Sequence, residues 1–99
     1  MITDFGISDD TVVVTTSYVT LHGRPVLEVS HDDDEEGGSL WQFHCGDGDY
    51  SPEKLQLVAL HTVLALDPSL SEVAGLRVGS TARRSSNDAP WCVNAERRR

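Results

Sequence analysis

Hydrophobic and polar residues alternate along much of the first half of the chain, which is the period of β-strands. Residues 11–16 (TVVVTT) are rich in β-branched side chains and predict a first strand, which the pattern allows to continue as far as residue 21. Residues 26–31 (VLEVSH) and 40–45 (LWQFHC) predict a second and a third strand. Between the first two strands, the glycine and proline of residues 22–25 (HGRP) predict a turn.

The second and third predicted strands are expected to form an antiparallel hairpin closed by an acidic loop. Their apolar side chains face one core only if paired positions sum to an even number, as with Val29 opposite Trp41 or Phe43. A slip of one residue would turn every apolar side chain to the wrong face. The positions predicted to face away from the core are Glu28, Ser30, Gln42 and His44.

Residues 55–66 (LQLVALHTVLAL) are apolar on nearly every side. Periodicity therefore does not separate one buried helix from a strand followed by a short helix. We favour the second arrangement, with a central strand at 57–60 and a helix from residue 61. Just before this segment, residues 51–53 (SPE) resemble the start of a helix.

Asp67 and Pro68 predict the start of a further helix. Aspartate caps free N–H groups, and proline lacks the N–H that the first helical turn leaves unpaired. Ser69 and Glu72 also fit a capping box, so two starting residues stay open. The helix is predicted to end at Gly75, because glycine is common just after a helix.

The end of the chain predicts one more strand at 78–84, and Trp91 is expected to return over the core. The whole pattern predicts an α+β fold, with a small antiparallel sheet of about four to five strands and one or two short helices packed on one face. The chain is predicted to be a single domain (1–99) with an ordered core at about 11–92, a flexible N-terminus and a basic C-terminal tail. A core of this size leaves no room for a deep substrate cavity.

Charge is divided unevenly between the two halves of the chain. Residues 1–50 carry eleven acids and one arginine, whereas residues 51–99 carry five acids and seven basic residues, and the formal net charge is −8. This charge opposes binding to nucleic acid and to anionic membranes and favours a basic protein partner, although it also serves solubility alone. The N-terminal residues lack the basic and apolar segments of a signal peptide, so the cytoplasm is the predicted compartment.

Two cysteines, Cys45 and Cys92, are too few for a disulfide framework. Their apolar neighbours predict reduced core residues, and a bond between the two is left open. Cys45 also forms a candidate transition-metal set with His31 and His44. Neighbouring strand residues face opposite sides, so these three side chains are not expected to converge on one ion, and neither a metal nor another cofactor is predicted.

No motif predicts catalytic chemistry. Cys45, His61 and Asp67 supply a thiol, an imidazole and a carboxylate, but no GxSxG, Walker, HExxH or GxGxxG sequence occurs. His61 lies in an apolar run and is expected to be a hydrogen-bonded residue of the core or its boundary. We therefore predict a protein that is not an enzyme.

The acidic residues around the predicted hairpin are the candidate binding site. A solvated loop is the simplest explanation of five consecutive like charges, and docking of a basic protein is the functional explanation. Carboxylates also suit calcium, but the spacing of an EF-hand loop is absent. The candidate partner-binding residues are Asp32, Asp33, Asp34, Glu35, Glu36, Asp47 and Asp49.

Four segments in order carry a family resemblance: residues 40–47 (LWQFHCGD), 57–64 (LVALHTVL), 67–70 (DPSL) and 78–84 (VGSTARR). This order resembles a family of small bacterial domains of unknown function that is grouped with the immunity proteins of polymorphic toxin systems (immunity family thirty-three). The resemblance spans about residues 12–91. It implies an α+β fold, no catalytic residues, and stoichiometric occlusion of a basic toxin such as a nuclease.

The predicted function is thus a non-catalytic protein-binding domain, with an immunity protein as its specific form. Two alternatives stay open. One is a small-molecule or divalent-cation binding module that uses the region of Asp47 and Asp49, and the other is a structural domain without a partner. The sequence leaves the oligomeric state open.

Overall fold

The computed structural model describes residues 5–33, 39–46 and 51–94. Its strands are β1 (Val12–Thr16), β2 (Glu28–Asp33), β3 (Ser39–His44), β4 (Leu55–Ala59), β5 (Ser80–Arg83) and β6 (Cys92–Asn94). The α-helices are α1 (Ser17–Thr20) and α2 (Leu60–Leu66), and 3₁₀-helices span Pro52–Lys54 and Pro68–Val73. In this part of the chain, every helix is too short or too polar to cross a membrane.

The six strands form one mixed sheet in the order β4-β1-β3-β2-β5-β6. This confirms the α+β class, but the predicted antiparallel sheet of four to five strands differs in two respects. β6 is an additional short strand beside β5, and β1 runs parallel to β3. Strand order depends on contacts between segments far apart in the chain, so a local hydrophobic pattern does not predict it.

The β2–β3 hairpin has the even register that its apolar pattern predicts. Val29 lies opposite Phe43, and His31 lies opposite Trp41. These side chains therefore share one face of the sheet. Both strands extend further towards the acidic loop than predicted. The loop residues 34–38 lie outside the described residues.

Residues 55–66 form a strand followed by a helix, which is the arrangement favoured over a single helix. β4 is nevertheless an edge strand and not a central one. The predicted continuation of β1 to residue 21 is wrong, because α1 begins directly after β1. The predicted helix start at 51–53 is a single 3₁₀ turn.

α1, α2 and the second 3₁₀-helix contribute buried side chains to a core on one face of the sheet, which we call the inner face. Core residues of the sheet are Val13, Val29, Trp41, Phe43 and Ala82, and those of the helices are Val19, Leu60, Val63, Leu70 and Val73. Phe5, which precedes the predicted core range, is also buried, and its ring meets Trp41 edge-on at 4.8 Å. The 3₁₀-helix Pro52–Lys54 contributes no buried residue.

The prediction that residues near the C-terminus join the core holds for Trp91 and fails for Cys92. Trp91 packs against the core as expected. Cys92 is exposed, so the prediction of a core cysteine is wrong at this position, whereas Cys45 is buried. Cys92 pairs with Arg83 at the edge of the sheet, where no further strand of the described residues covers it. Both cysteines are free thiols.

Two local backbone signals have the roles that their residue types indicate. Asp67 caps the 3₁₀-helix Pro68–Val73, because its Oδ1 accepts the N–H of Ser69 at 3.1 Å. This helix is tighter than the predicted α-helix and ends before Gly75. Gly79 has a φ of 88° and donates its N–H to the His31 carbonyl at 2.6 Å, in a conformation that favours glycine.

Candidate functional site

The face of the sheet turned away from the core, which we call the outer face, is apolar on its β4–β1–β3 half. Strand alternation and register place six apolar side chains there: Val12, Val14, Leu40, Leu55, Leu57 and Ala59. Leu57 is 71% exposed, Val12 is 57% exposed and Leu55 is 38% exposed. Neighbouring large apolar side chains with this exposure are typical of a binding surface.

The β2–β5 half of the outer face is polar. Arg83 donates from Nη2 to Glu28 Oε2 at 2.8 Å across the two strands. On β3, Gln42 Oε1 lies 2.9 Å from His44 Nε2. The register confirms that Glu28, Ser30, Gln42 and His44 face away from the core. His44 is buried all the same, so facing outward does not expose it.

Two of the seven acidic residues predicted to bind a partner are described by the structure. Asp32 lies opposite Leu40 on the outer face, and Asp33 is exposed at the end of β2. The other five, which are Asp34, Glu35, Glu36, Asp47 and Asp49, lie outside the described residues. Asp32 thus joins the acidic end of the hairpin to the apolar half of the outer face. The sequence pattern did not predict this continuity, because it depends on β3 lying next to β1.

The sheet separates His44 from the other two candidate metal ligands. His31 faces the core, where its Nδ1 donates to the Leu76 carbonyl at 2.7 Å and its ring stacks on Trp41 at 3.9 Å. His44 lies on the outer face, as strand alternation predicts, and Cys45 is buried. Over residues 5–33, 39–46 and 51–94, no three His, Cys, Asp or Glu side chains are arranged to hold a metal ion.

The residues considered for nucleophilic catalysis occupy different environments. Cys45 is buried in the core, and His61 is exposed on α2, so the prediction of a core or boundary role for His61 is wrong. The Asp67 carboxylate accepts from Ser69 through one oxygen and from Arg84 through the other. The carboxylate is therefore committed to a helix cap and an ion pair.

Arg84 is a buried cation whose importance is not visible in the sequence pattern, where it is one of two adjacent arginines. Its side chain is 1% exposed. Nε and Nη2 donate to the Val26 carbonyl at 3.1 and 3.0 Å, and Nη2 also donates to Asp67 Oδ2 at 2.7 Å. Nη1 donates to Ser69 Oγ at 3.0 Å and to the Asn87 carbonyl at 3.2 Å. All five N–H donors of the guanidinium are used.

Arg84 and Asp67 belong to two of the four segments that carry the family resemblance. Trp41 and Phe43, from another of these segments, are core residues with 1% and 0% exposure. Arg84 also stacks on Trp91, with its guanidinium carbon 4.2 Å from the ring centre. In this chain these residues of the segments therefore hold the fold together.

A groove of about 930 Å³ lies between the segment that follows the second 3₁₀-helix and β6. Its apolar lining residues include Val73, Leu76, Val78, Trp91 and Val93, with Glu72 and Arg77 as charged neighbours. The volume is within the range of small-ligand sites, although no deep cavity was predicted. The groove does not hollow the core, because it lies at the β6 edge. The buried indole Nε1 of Trp91 finds no acceptor in the part of the chain that the structure describes.

Comparison with known proteins supports no family assignment. No family model, no curated protein and no solved structure matches this chain.

Proposed function

We propose that this protein is a non-catalytic domain that binds another protein through the outer face of its sheet and the adjoining acidic end of the β2–β3 hairpin. One observation carries the proposal. Exposed apolar side chains on β4 and β1 continue through Leu40 to Asp32, so that an apolar area meets a concentration of negative charge. Interfaces between proteins commonly have this anatomy, with an apolar centre and a polar rim.

The shape of the surface favours a protein over a small ligand. The apolar side chains lie on three adjacent strands of a sheet face, whereas small ligands are usually bound in concave sites. A face of this kind contributes affinity by removing apolar area from water when a partner covers it. Leu57 and Val12 are the most exposed apolar side chains of this face, and such a partner would bury them.

The acidic end of the hairpin selects the charge of the partner. Residues 32–36 carry five consecutive acids, and residues 1–50 carry eleven acids against one arginine. A basic partner is attracted by this potential, which chiefly raises the rate of association. A basic toxin domain is such a partner. The immunity-like role rests on this charge and on the family resemblance, and it includes stoichiometric occlusion without catalysis.

The experiment uses a basic toxin domain encoded beside this gene and measures binding by stopped-flow fluorescence and calorimetry. We expect a one-to-one complex whose association rate falls as salt is added, because screening weakens the attraction between exposed charges. Neutralising residues 32–36 to their amide counterparts is expected to slow association at low salt by about tenfold or more. Val12→Ser is expected to accelerate dissociation, because it removes an apolar contact.

A control at other acids separates local charge from total charge. Glu53, Glu72 and Asp88 are exposed acids outside the hairpin, and changing them to amides is expected to leave the association rate nearly unchanged. The two sets remove five and three charges, so equal slowing per charge removed would show that only net charge matters. An absence of any complex with neighbouring basic toxin domains would overturn the immunity-like role.

The groove beside β6 supports a second candidate function, which is binding of a small molecule with an apolar body. Its volume of about 930 Å³ and its apolar lining residues favour a ligand with an apolar body. A thermal shift screen tests this function, since a ligand at 100 times its Kd adds about 2.7 kcal/mol of stability. Loss of the ligand-induced thermal shift in Val78→Lys would place the ligand in the groove, because Val78 lines it.

A further inference from the structure

β4 is an edge strand, and over residues 5–33, 39–46 and 51–94 it has none of the features that usually prevent edge strands from pairing. It lies at one end of the sheet and has the sequence LQLVA, which contains no charged residue and no proline. Natural edge strands are commonly protected by charge, proline, a bulge or a covering element. Leu57, at the centre of β4, is 71% exposed. The strand therefore presents a five-residue template for a further strand.

The register with β1 determines which backbone groups of β4 point to the free edge. Thr11 lies opposite Leu60 in the continued register, and the Leu60 N–H donates to the Thr11 carbonyl at 2.9 Å. Hydrogen-bonded pairs alternate along an antiparallel ladder, so positions 60, 58 and 56 bond towards β1. The N–H and C=O groups of Leu55, Leu57 and Ala59 therefore point away from β1.

Two of these six groups are already used within the chain. The Leu55 N–H donates to the Pro52 carbonyl and closes the 3₁₀ turn. Ala59 is the N-cap of α2, so its carbonyl accepts the first hydrogen bond of that helix. Within the part of the chain that the structure describes, the groups left for an incoming strand are the Leu57 N–H, the Leu57 C=O, the Ala59 N–H and the Leu55 C=O.

We propose that β4 pairs with β4 of a second copy of this chain, antiparallel and with the two-fold axis at Leu57. In that register, Leu57 faces Leu57 of the second copy and exchanges two hydrogen bonds with it. Each Ala59 N–H donates to the Leu55 carbonyl of the other copy, which adds two more. The two sheets become one continuous twelve-stranded sheet.

Self-complementarity is the reason for choosing a second copy as the occupant. The free groups are two donors and two acceptors, and the two-fold axis at Leu57 matches each donor to an acceptor with none left over. On the outer face, the same register brings Leu57 against Leu57 and Leu55 against Ala59. Because β4 has no charged side chain, no like charges meet within the strand pair. An isologous contact of this kind closes as a dimer.

This inference goes beyond the proposed function and does not depend on it. Edge pairing leaves the outer-face side chains of β1 and β3 accessible, so a dimer would present two docking surfaces. The two associations also respond oppositely to salt. With a net charge of −8 on each copy, salt is expected to strengthen dimerisation by screening repulsion, whereas it weakens docking of a basic partner.

Sedimentation velocity across a range of chain concentrations tests the dimer. The full chain is expected to shift from monomer to dimer mass as concentration rises. Leu57→Glu and Leu57→Lys are each expected to weaken dimerisation by at least about tenfold, because the new charges face each other across the axis. An equimolar mixture of the two variants is expected to regain dimer mass, because opposite charges then meet.

The opposite edge of the sheet supplies the matched control. Val93 on β6 is also an exposed apolar residue of an edge strand, at 59% exposure. Val93→Glu and Val93→Lys are expected to leave dimerisation unchanged. If these variants abolish the dimer and the Leu57 variants keep it, β6 is the interface and the β4 proposal is wrong. Monomer mass at all concentrations, or a mixture of Leu57 variants that stays monomeric, also overturns it.

Amide hydrogen exchange tests the register without any substitution. The N–H groups of Leu57 and Ala59 are expected to exchange more slowly as chain concentration rises, because the dimer protects them. The Gln56 and Val58 N–H groups bond to β1 of the same copy in monomer and dimer alike, so their protection is expected to change less. Slowing at Gln56 and Val58 without slowing at Leu57 would contradict the proposed pairing.

Discussion

The two faces of the sheet divide the tasks of stability and recognition. The inner face is covered by helices and contributes Val29, Trp41 and Phe43 to a core in which they are at most 1% exposed. The outer face carries Leu57 and Val12 at more than half exposure. Because neighbouring residues of a strand point to opposite faces, the same short segments supply both surfaces. Apolar residues of one strand can therefore differ in exposure because they point to different faces.

Adjacent arginines show the same division for charge. Arg84 lies just beyond β5, is buried, and uses all its side-chain N–H donors. Arg83 has a side chain that is 56% exposed and forms an ion pair with Glu28. Removing the partner of a buried ion costs much stability because the remaining charge is left buried and unpaired. Removing the partner of an exposed ion costs little because water solvates the remaining charge. The comparison therefore predicts a graded series of stability effects.

The largest effect is expected at Arg84. Arg84→Gln removes the partner of Asp67 and leaves the Val26 and Asn87 carbonyls with fewer donors. We expect the free energy of unfolding to fall by about 3–5 kcal/mol, as for a broken buried ion pair. Urea unfolding followed by circular dichroism measures it. A fall below about 1 kcal/mol would show that the site is effectively solvated.

The next effect is expected in the core on the inner side. Leu70→Ala removes a fully buried side chain from the second 3₁₀-helix and leaves a cavity. We expect a loss of about 2–5 kcal/mol in the free energy of unfolding. The same urea titration measures it, and an unchanged midpoint would mean that Leu70 is not packed as described.

A smaller effect is expected at Arg83. Arg83→Gln breaks the ion pair with Glu28, which lies on the outer face and has one exposed partner. We expect a loss of about 0.2–1 kcal/mol, which decreases further in high salt. This variant is also the control for Arg84→Gln, because it makes the same change at the neighbouring position. Equal losses of unfolding free energy from the two variants would show that the buried ion pair of Arg84 and the exposed ion pair of Arg83 contribute alike.

The smallest effect on stability is expected at Leu57. Leu57→Ala changes an apolar side chain that is already mostly exposed, so the free energy of unfolding of the monomer is expected to change by less than about 0.5 kcal/mol. The measurement belongs at a chain concentration where sedimentation shows monomer. A loss comparable to that of Leu70→Ala would mean that Leu57 is buried in the folded chain.

Local pattern predicted the elements better than their arrangement. The even register of Val29 with Phe43 follows from alternation, and the strand and helix in residues 55–66 follow from composition and length. The edge position of β4 does not follow, because LQLVA is apolar enough for a central strand. α1 was missed because residues 17–20 continue a β-branched segment, although the chain turns there.

The candidate site was predicted only in its charge. The acidic run marked Asp32 and Asp33 at the end of the hairpin, but the apolar area beside them consists of residues from three strands that are distant in sequence. Arg84 was missed for the same reason. Its partners Val26 and Asp67 come close to it only when β2 and the second 3₁₀-helix are both in place.

What residue order alone specifies here is periodicity, capping and charge, because these depend on neighbours within a few positions. It therefore determines that Trp41 and Phe43 share a face, that Asp67 starts a helix, and that the first half is acidic. The tertiary structure decides which strand lies at the edge, which arginine is buried and which apolar residues stay exposed. These properties depend on long-range packing, where each segment's environment is set by segments that the chain brings to it from far away.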